Sequence, residues 1–255
     1  MKIKFLGTGT SHGVPLVNCG CHTCTSTDPK NTRYRSSVWV HDNGVDIIID
    51  TPAEFRLRTL EYKIPKIDAI LMTHAHADHI AGLDDIRIYN EIQSGPVPLY
   101  LDEKTREEIL SRYSYIFKET QEGGGKPKLL LEGIEHGNVF SIKGIRIEPL
   151  KVRHGGLEIT GFLINNKFAY ITDCSFMPDE TLAAIKGVKV LVLNALRHKP
   201  HPTHFNLDEA IAAAKRSGAI TSYFTHIAHA LEHNITEKEL PLGIKMAYDG
   251  LEIEI

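Results

Sequence analysis

Histidine and aspartate crowd one short stretch of the chain, THAHADH, which places His74, His76, Asp78 and His79 within six positions. In an extended or turn segment, His74 and His76 can both face one ion, and Asp78 and His79 can then turn toward a second. Imidazole and carboxylate ligands together suit zinc, manganese or iron. A lone histidine at a strand end is more often a solvated turn residue, but this density favours a metal centre.

Other metal-binding residue types also follow apolar runs. Five such runs each end in an aspartate or a histidine: VDIII before Asp50, DAILMT before His74, IEPLKVR before His154, FAYIT before Asp173 and ITSYFT before His226. In open α/β sheets, ligands bind beyond one end of the strands. If these strand ends lie together, they assemble one site from residues that are far apart in the chain.

A second cluster, CGCHTC, contains Cys19, Cys21 and Cys24. In a reducing compartment this spacing favours metal binding over disulfides, although reduced, partly buried cysteines are the alternative. Three thiolates can fill three positions of a tetrahedral zinc and leave the fourth for a distant residue. His22 lies between two of the thiolates and is expected to point away, so His229 in THIAH is the better fourth ligand.

Strand and helix patterns alternate along the chain. The runs typical of strands are KIKFLG, SVWVHD, VDIIID, IDAILMTH, VPLYL, IRIEPLKVRH, GFLINN, FAYITD, VKVLVLN, ITSYFTH and LEIEI. The runs typical of helices are AEFRLRTLEYK, KTREEILSRYSYIF, PDETLAAIKG and NLDEAIAAAKRSG. They predict a single α/β domain over residues 1–255, with sheet inside and helices outside. QEGGGKPK (121–128) is expected to be a mobile surface loop.

The bulk composition excludes several classes of protein. The chain has 255 residues, of which 42% are hydrophobic, enough for a sizeable core. Its net charge of −3 provides no basic field that would hold nucleic acid or an anionic membrane. No apolar run approaches the roughly 18 residues that cross a bilayer. Gly7 and Thr8 interrupt the N-terminal run that a signal peptide needs, so we expect a cytoplasmic protein.

THAHADH resembles the H-x-H-x-D-H signature of the metallo-β-lactamase superfamily, and the later candidates follow in that family's order over nearly the whole chain. The resemblance implies an αββα four-layer sandwich and two catalytic divalent ions, Mn²⁺ or Zn²⁺. It implies that one ion is held by His74, His76 and His154, the other by Asp78, His79 and His226, and that Asp173 bridges them. Asp50 is then not a ligand but orients a ligand histidine.

Three further motifs, LGTGTSHGVP, C-x-C-x-x-C and THIAH, are similar to those of cyclic phosphodiesterases of phosphonate degradation, a branch that also includes tRNA 3′-end-processing endonucleases. The resemblance implies a structural zinc bound by Cys19, Cys21, Cys24 and His229, in a loop at about 18–25. It also implies hydrolysis of a small cyclic or diester phosphate, such as a ribose cyclic phosphate or 2′,3′-cyclic nucleotide, by a hydroxide that bridges the catalytic ions.

Asp78, as a ligand, and His204 are the expected catalytic residues. The metals do not supply a proton for a departing alkoxide, and RHKPHPTHFNLDEA offers His198, His201 and His204. His204 lies just before a capped helix, where backbone N–H groups favour an anion. By the same resemblance it donates to the scissile phosphate or the leaving oxygen, whereas His198 and His201 are expected at the rim.

Several alternatives stay open. One is hydrolysis of a thioester, lactone or β-lactam on the same two-metal site; the cysteine cluster and His204 favour the phosphodiesterase instead. RNA 3′ processing usually needs a long basic arm, and residues 121–128 are short. A non-catalytic metal-binding protein would lack some of the ligands, yet all are present. Arg33 and Arg35 are either phosphate contacts or solvated. We expect a small phosphodiester as partner, no stable nucleic-acid partner and no membrane, and a homodimer is compatible with the sequence.

Overall fold

The computed structural model describes residues 1–119 and 125–255. The strands of these ranges are β1 Lys2–Gly7, β2 Ser37–Asp42, β3 Val45–Ile49, β4 Ala69–Leu71, β5 Val97–Leu101, β6 Leu129–Gly133, β7 Phe140–Ile142, β8 Ile145–His154, β9 Leu157–Ile164, β10 Phe168–Ile171, β11 Val190–Asn194, β12 Thr221–Thr225, β13 Ile244–Met246 and β14 Glu252–Glu254. The helices are α1 Phe55–Glu61, α2 Ala77–Ile80, α3 Ile86–Gln93, α4 Glu103–Arg112, α5 Ser114–Phe117, α6 Asp179–Ala184, α7 Leu207–Ser217 and α8 His233–Glu239.

The described strands form two seven-stranded sheets, in the orders β14-β1-β2-β3-β4-β5-β6 and β13-β12-β11-β10-β9-β8-β7. In the first sheet, β14, β1, β2 and β3 pair antiparallel, and β3 to β6 pair in parallel. In the second sheet, β7 to β10 pair antiparallel, and β10 to β13 pair in parallel. Parallel strands require crossover connections, which bring helices onto the faces of both sheets.

The alternation of side chains along each strand builds the layers. Ile47 and Ile49 of β3 pack with Phe168 and Tyr170 of β10 in a core between the two sheets. Ile48 faces the other side of the first sheet and belongs to a separate cluster beneath the helices. Because successive residues of a strand point to opposite faces, a strand buried on both sides must be apolar throughout.

Helices cover the outer face of each sheet. Phe55 of α1, Ile86 of α3 and Ile109 of α4 pack on the first sheet. Leu207 and Ala210 of α7 pack on the second. The order of layers is helix, sheet, sheet, helix, and the predicted αββα sandwich is confirmed.

The strand arrangement explains how distant residues reach one edge. Asp50 follows β3, His74 lies shortly after the neighbouring parallel strand β4, and His154 is the last residue of β8. Asp173 and His226 follow β10 and β12, which run in the same direction within the second sheet. The carboxyl ends of these strands meet at one edge of the sandwich, as the sequence pattern predicts.

Some elements differ from the sequence prediction. The helix expected over 104–117 is divided at Tyr113, whose φ of −109° and ψ of 33° separate α4 from α5. The helices α3 and α8 and the strands β6, β7 and β13 were not predicted. Of the expected loop 121–128, residues 121–124 lie outside the described residues, and 125–128 are neither helix nor strand. No helix among the described residues is long and apolar enough to cross a bilayer.

The start of α7 has the capping box that the sequence predicts. The Asn206 side chain accepts a hydrogen bond from the Glu209 backbone N–H, and the Glu209 carboxylate accepts one from the Asn206 N–H, both at 2.9 Å. Asn206→Ala should lower the free energy of unfolding by about 1 kcal/mol, since it leaves a helix N–H unpaired. Urea denaturation followed by circular dichroism measures the change. Asp208→Ala, in the same turn but outside the box, is the control and should shift stability by less than about 0.5 kcal/mol.

Candidate metal centre

Three residues at the strand ends have left-handed backbone conformations. Asp50, Asp173 and His226 have φ values of 63°, 55° and 54°, and all three side chains are buried. This conformation costs roughly 1–2 kcal/mol in a residue with a Cβ. Such residues persist where the surrounding structure enforces them, and they cluster at functional sites. The sharp turn after each strand brings the three side chains to the same edge of the sandwich.

His74, His76 and His154 form the first group, with one ring nitrogen from each within 4.8 Å of the others. Nδ1 of His154 donates to the Thr203 carbonyl at 2.7 Å, and Nδ1 of His74 lies 3.0 Å from the Thr73 hydroxyl. These partners fix the rings and leave the opposite nitrogens facing inward, as in histidines that bind metals.

Asp78, His79, Asp173 and His226 form the second group. Nδ1 of His79 donates to Asp50 at 2.7 Å, and its Nε2 lies 3.4 Å from Asp78 and 3.5 Å from Asp173. Asp50 also accepts hydrogen bonds from Thr73, whose backbone N–H lies at 2.9 Å and whose hydroxyl lies at 2.8 Å. Asp50 therefore orients His79 and is not itself among the grouped side chains.

His226 reaches the second group through its Nδ1 atom, which lies 3.1 Å from Oδ1 of Asp173. The opposite nitrogen, Nε2, lies 3.2 Å from the hydroxyl of Thr10. Thr10 was not predicted to contact a ligand. Its only signal in the sequence is its place in the glycine-rich run GTGTSHG, which passes beside the centre as the sequence analysis left open.

Asp173 lies between the two groups. Its Oδ1 faces His79 and His226, and its Oδ2 lies 3.9 Å from Nε2 of His74 and 3.1 Å from Nε2 of His204. A carboxylate with one oxygen toward each set of ligands is in the position required to bridge two ions. The proposed bridging role thus has the geometry that it needs.

Burial and neighbouring charges shift the pKa values of these groups. Burial lowers the pKa of His74 well below its ordinary value and that of His226 to about 4. Burial also acts to lower the pKa of His79, but the adjacent carboxylates, Asp173 first, outweigh it and raise that pKa. Burial acts to raise the pKa of Asp173, yet the imidazoles of His226 and His79 hold it well below its usual range. The Asp173 carboxylate is therefore ionised at neutral pH, as metal binding requires.

The donor set fits divalent ions. Nε2 of His74 and Nε2 of His79 are buried without a hydrogen-bond partner among the described residues. A buried polar atom is costly unless something binds it, and both atoms face the other donors. Imidazole nitrogens combined with carboxylate oxygens are the ligands of zinc and manganese sites. This donor chemistry supports the expectation of divalent metal ions.

The cysteine cluster converges on His229. The Sγ atoms of Cys19, Cys21 and Cys24 lie 3.3, 3.4 and 3.5 Å from Nδ1 of His229, and all are free thiols. Around a tetrahedral zinc, bonds of about 2.3 Å to sulfur and about 2.0 Å to nitrogen place those atoms about 3.5 Å apart. The four side chains thus have the spacing of a structural zinc site. His22 is not in the group, as expected.

The thiols of this cluster differ in their protonation. A hydrogen bond from the Cys24 backbone N–H is the main cause that lowers the pKa of Cys21 to about 6, whereas burial raises the pKa of Cys24 to about 11. One thiolate is therefore present at neutral pH before any ion binds. Another thiol must lose its proton on binding, so zinc affinity should increase with pH.

His204 directly contacts two residues of the second group, Asp173 and His226. Besides its contact with Asp173, its ring stacks on that of His226, with centroids 4.9 Å apart and planes inclined by 14°. Its Nδ1 lies 3.2 Å from Nδ1 of His201. His201, which was expected at the rim, is half-buried, lines the larger of the two cavities that flank the centre and also contacts His204. His198 is exposed, as expected.

The two arginines considered as phosphate contacts have other partners. Arg33 is completely buried. Arg35 pairs with Glu54 and donates to the Ser11 carbonyl at 2.8 Å. Neither guanidinium extends into the centre, so the interpretation as substrate contacts is not supported.

Two cavities flank the centre. The smaller, of about 260 Å³, is lined by His74, His76, Lys104, Arg112 and Leu157, among others. The larger, of about 560 Å³, is lined by Thr10, Arg197, Lys199, His201 and His204, among others. None of the described residues that line the larger cavity is acidic.

Residues 40–227 match the model of the beta-lactamase superfamily domain. The chain belongs to this superfamily. A solved structure described as a new diphosphatase from the PhnP family is similar, with a TM-score of 0.93 and 42% identity, over 100% of this chain and 96% of that one. The short form of human tRNase Z has the same fold, with a TM-score of 0.69 and 18% identity over 100% and 99% of the two chains. The predicted membership, with its phosphodiesterase branch, is confirmed.

One curated relative has a different name. An octanoyltransferase of Porphyromonas gingivalis is 34% identical over 255 residues, which are 99% of this chain and 51% of that protein. This chain therefore spans about half the length of that relative. The activity in the name of that longer protein is therefore not assigned to this chain.

The cysteine cluster should bind zinc independently of the catalytic residues. Cys21→Ser should remove about one zinc per chain and lower the melting temperature, because a structural zinc contributes folding free energy. Plasma emission spectrometry and differential scanning fluorimetry measure the two effects. Cys174→Ala, which removes a buried thiol outside the cluster, is the control and should keep its zinc. Unchanged zinc content in Cys21→Ser would show that the thiols are not ligands.

Proposed function

We propose that this hydrolase is a dinuclear metal-dependent phosphodiesterase that cleaves small cyclic or diester phosphates. The observation that carries the proposal is Asp173, whose two oxygens face separate groups of ligand-type side chains, with His204 beside it. Two adjacent ions suit phosphoryl transfer because they can stabilise both the attacking and the leaving oxygen. We propose that residues 1–255 form a single hydrolase domain.

The first group, His74, His76 and His154, would hold one ion, and Asp78, His79 and His226 would hold the other, with Asp173 available to both. Bound there, the ions supply Lewis acidity and a nucleophile derived from water at neutral pH. Asp50 accepts the Nδ1 proton of His79 and the Thr203 carbonyl accepts that of His154, so the Nε2 atom of each ring is directed toward the ion that it would bind. A structural zinc at Cys19, Cys21, Cys24 and His229 completes the proposed metal content.

His204 acts on the leaving group. Its Nε2 atom lies 3.1 Å from Oδ2 of Asp173, beside the carboxylate that would contact both ions. A histidine there can donate a proton to the departing oxygen. Asp78, proposed as both ligand and catalytic residue, contributes by holding the second ion beside the same phosphate.

The larger cavity receives the leaving group, since His204 forms part of its wall. Arg197 and Lys199 line the same cavity, and no described lining residue is acidic. An anionic leaving group suits that lining. Cleavage of a diphosphate linkage is therefore the second candidate function, and the 42% identical structure described as a diphosphatase favours it.

Loss of a ligand histidine should abolish hydrolysis without unfolding the protein. His76→Ala should lower the rate on bis(p-nitrophenyl) phosphate by more than about 100-fold, because even residues that only orient ligands are worth 10–100-fold. Steady-state assays, with circular dichroism as the check on folding, measure this. His41→Ala, a histidine of β2 outside the centre, should keep wild-type activity. Parallel assays on a cyclic ribose phosphate and a diphosphate diester distinguish the two candidate functions, and wild-type activity in His76→Ala would contradict both.

The effect of His204 should depend on the leaving group. A p-nitrophenolate departs readily without a proton, whereas a sugar alkoxide does not, and general acid assistance is typically worth about 10²–10⁴-fold. His204→Ala should therefore lose far more activity on a cyclic ribose phosphate than on the nitrophenyl diester, with unchanged metal content. Equal losses on both substrates would instead indicate that His204 stabilises the phosphoryl oxygens.

A further inference from the structure

Arg33 is the largest of the fully buried side chains, with 1% of its surface exposed. Its Nη1 donates to the Thr8 hydroxyl at 2.8 Å and to the Ala247 carbonyl at 2.7 Å, and its Nη2 donates to Nδ1 of His233 at 3.1 Å. Burial lowers its pKa to about 10, so the guanidinium stays charged at neutral pH. A buried charge is costly unless it is well bonded. The partners of Arg33 show which segments of the chain it holds in place.

The first partner, Thr8, is hydrogen-bonded by both Arg33 and Asp249, and we call these three residues the Thr8 clamp. Its hydroxyl accepts from Arg33 and donates to Oδ1 of Asp249 at 2.7 Å. The other carboxylate oxygen of Asp249 accepts from the Tyr34 backbone N–H at 2.7 Å. The donor and an acceptor position of the Thr8 hydroxyl are therefore both used. Asp249 balances the charge of Arg33 through this hydroxyl.

The backbone at Thr8 pairs with the segment that carries His226. The Ile227 N–H donates to the Thr8 carbonyl at 2.9 Å, and the Thr10 N–H donates to the Ile227 carbonyl at 3.2 Å. Gly9 and Ile227 form a parallel β-bridge. Ile227, the residue after His226, is thus hydrogen-bonded through both its N–H and its carbonyl to residues 8–10, which Arg33 and Asp249 hold in place.

The same segment sets the orientation of the His226 ring. Nδ1 of His226 faces Asp173, and the Thr10 hydroxyl lies 3.2 Å from the opposite Nε2. A ring that binds an ion through Nδ1 carries its proton on Nε2, where Thr10 can accept it. Such a partner fixes both the tautomer and the direction of a ligand histidine.

We infer that Arg33 and Asp249 are positioning residues for the His226 side of the metal centre, acting through Thr8 and Thr10. The inference rests on the proposed two-metal centre. Neither residue touches the reacting atoms. Among the described contacts, His74, His76 and His154 of the other group have no hydrogen bond to Thr8, Arg33 or Asp249, so the affinity of that group for an ion should be independent of Arg33.

Arginine is required because its planar group reaches three acceptors at once: a hydroxyl, a carbonyl and an imidazole nitrogen. A lysine keeps the charge but presents it as a single point on a flexible stem. Arg33→Lys should therefore keep the charge balance with Asp249 and lose the geometry. Thr8→Val removes the clamped hydroxyl with almost no change in shape, and it serves as a second variant.

The test uses Mn²⁺ as probe, since thiolate clusters such as that of Cys19 bind it weakly and only the catalytic sites respond. In the wild type, two Mn²⁺ ions per chain should bind and give the electron paramagnetic resonance spectrum of a spin-coupled pair. In Arg33→Lys and Thr8→Val, one site should keep its affinity and the other should weaken by about 10–100-fold, the usual effect of losing a residue that orients ligands. With two equivalents of Mn²⁺ per chain, these variants should show the spectrum of isolated Mn²⁺ ions and not that of a spin-coupled pair.

Arg58→Met is the matched control. Arg58 is also buried, with 5% exposure, and its Nε donates to the Leu6 carbonyl at 2.6 Å, on the same β1 strand. Its guanidinium lies 4.8 Å from the centroid of the Tyr34 ring and has no hydrogen bond to Thr8, Thr10 or Asp249. This variant should lower the melting temperature and leave both Mn²⁺ affinities unchanged.

Three outcomes would overturn the inference. If Arg33→Lys and Thr8→Val bind Mn²⁺ at both sites with wild-type affinity, the inference is wrong but the proposed function stands. The same holds if Arg58→Met also loses Mn²⁺ affinity at one site only. A wild type that binds no second Mn²⁺ ion overturns the proposed function as well, and the two failures are thereby distinguished.

Discussion

The carboxylate of Asp173 is buried among imidazole nitrogens that come from both sheets. His74 and His79 approach it from the first sheet, and His204 and His226 from the second, with separations of 3.1 to 3.9 Å. A buried carboxylate without such partners would be costly to ionise. The two sheets must therefore be held in register to within a fraction of an ångström. The core between them, with Phe168 and Tyr170 beneath the centre, provides that constraint.

The surrounding hydrogen bonds oppose the strain in the strand ends. Asp50 has a left-handed backbone, yet its side chain accepts from Thr73 twice and from His79 once. The same bonds that enforce the conformation also select the tautomer of a ligand histidine. Backbone strain and ligand orientation are thus two results of one set of contacts.

The strand-end pattern in the sequence was sufficient to place the ligand-type residues, because parallel strands bring their carboxyl ends to one edge. The contacts of Thr10, His201 and Arg33 could not be predicted, since each depends on segments that meet only in the folded chain. Helix α3, IRIYNEIQ, was missed although its apolar residues 86, 88, 89 and 92 lie on one side of the helix, because a pattern of only eight residues is short for a helix. Ile86 and Tyr89 of that side are buried, whereas Ile88 and Ile92 are exposed.

The clamp at Thr8 also affects the order of events during synthesis. Residues near the start of the sequence have partners that are synthesised much later. Thr8 pairs with Ile227, Arg33 contacts His233 and Ala247, and β1 pairs with β14. Contacts of such long sequence separation form slowly. Until the segment around Ile227 and strand β14 have been synthesised, Thr8 and one edge of β1 lack their backbone partners. The His226 side of the proposed metal centre can therefore be completed only after Thr8 and Arg33 have formed their contacts with residues 227–247.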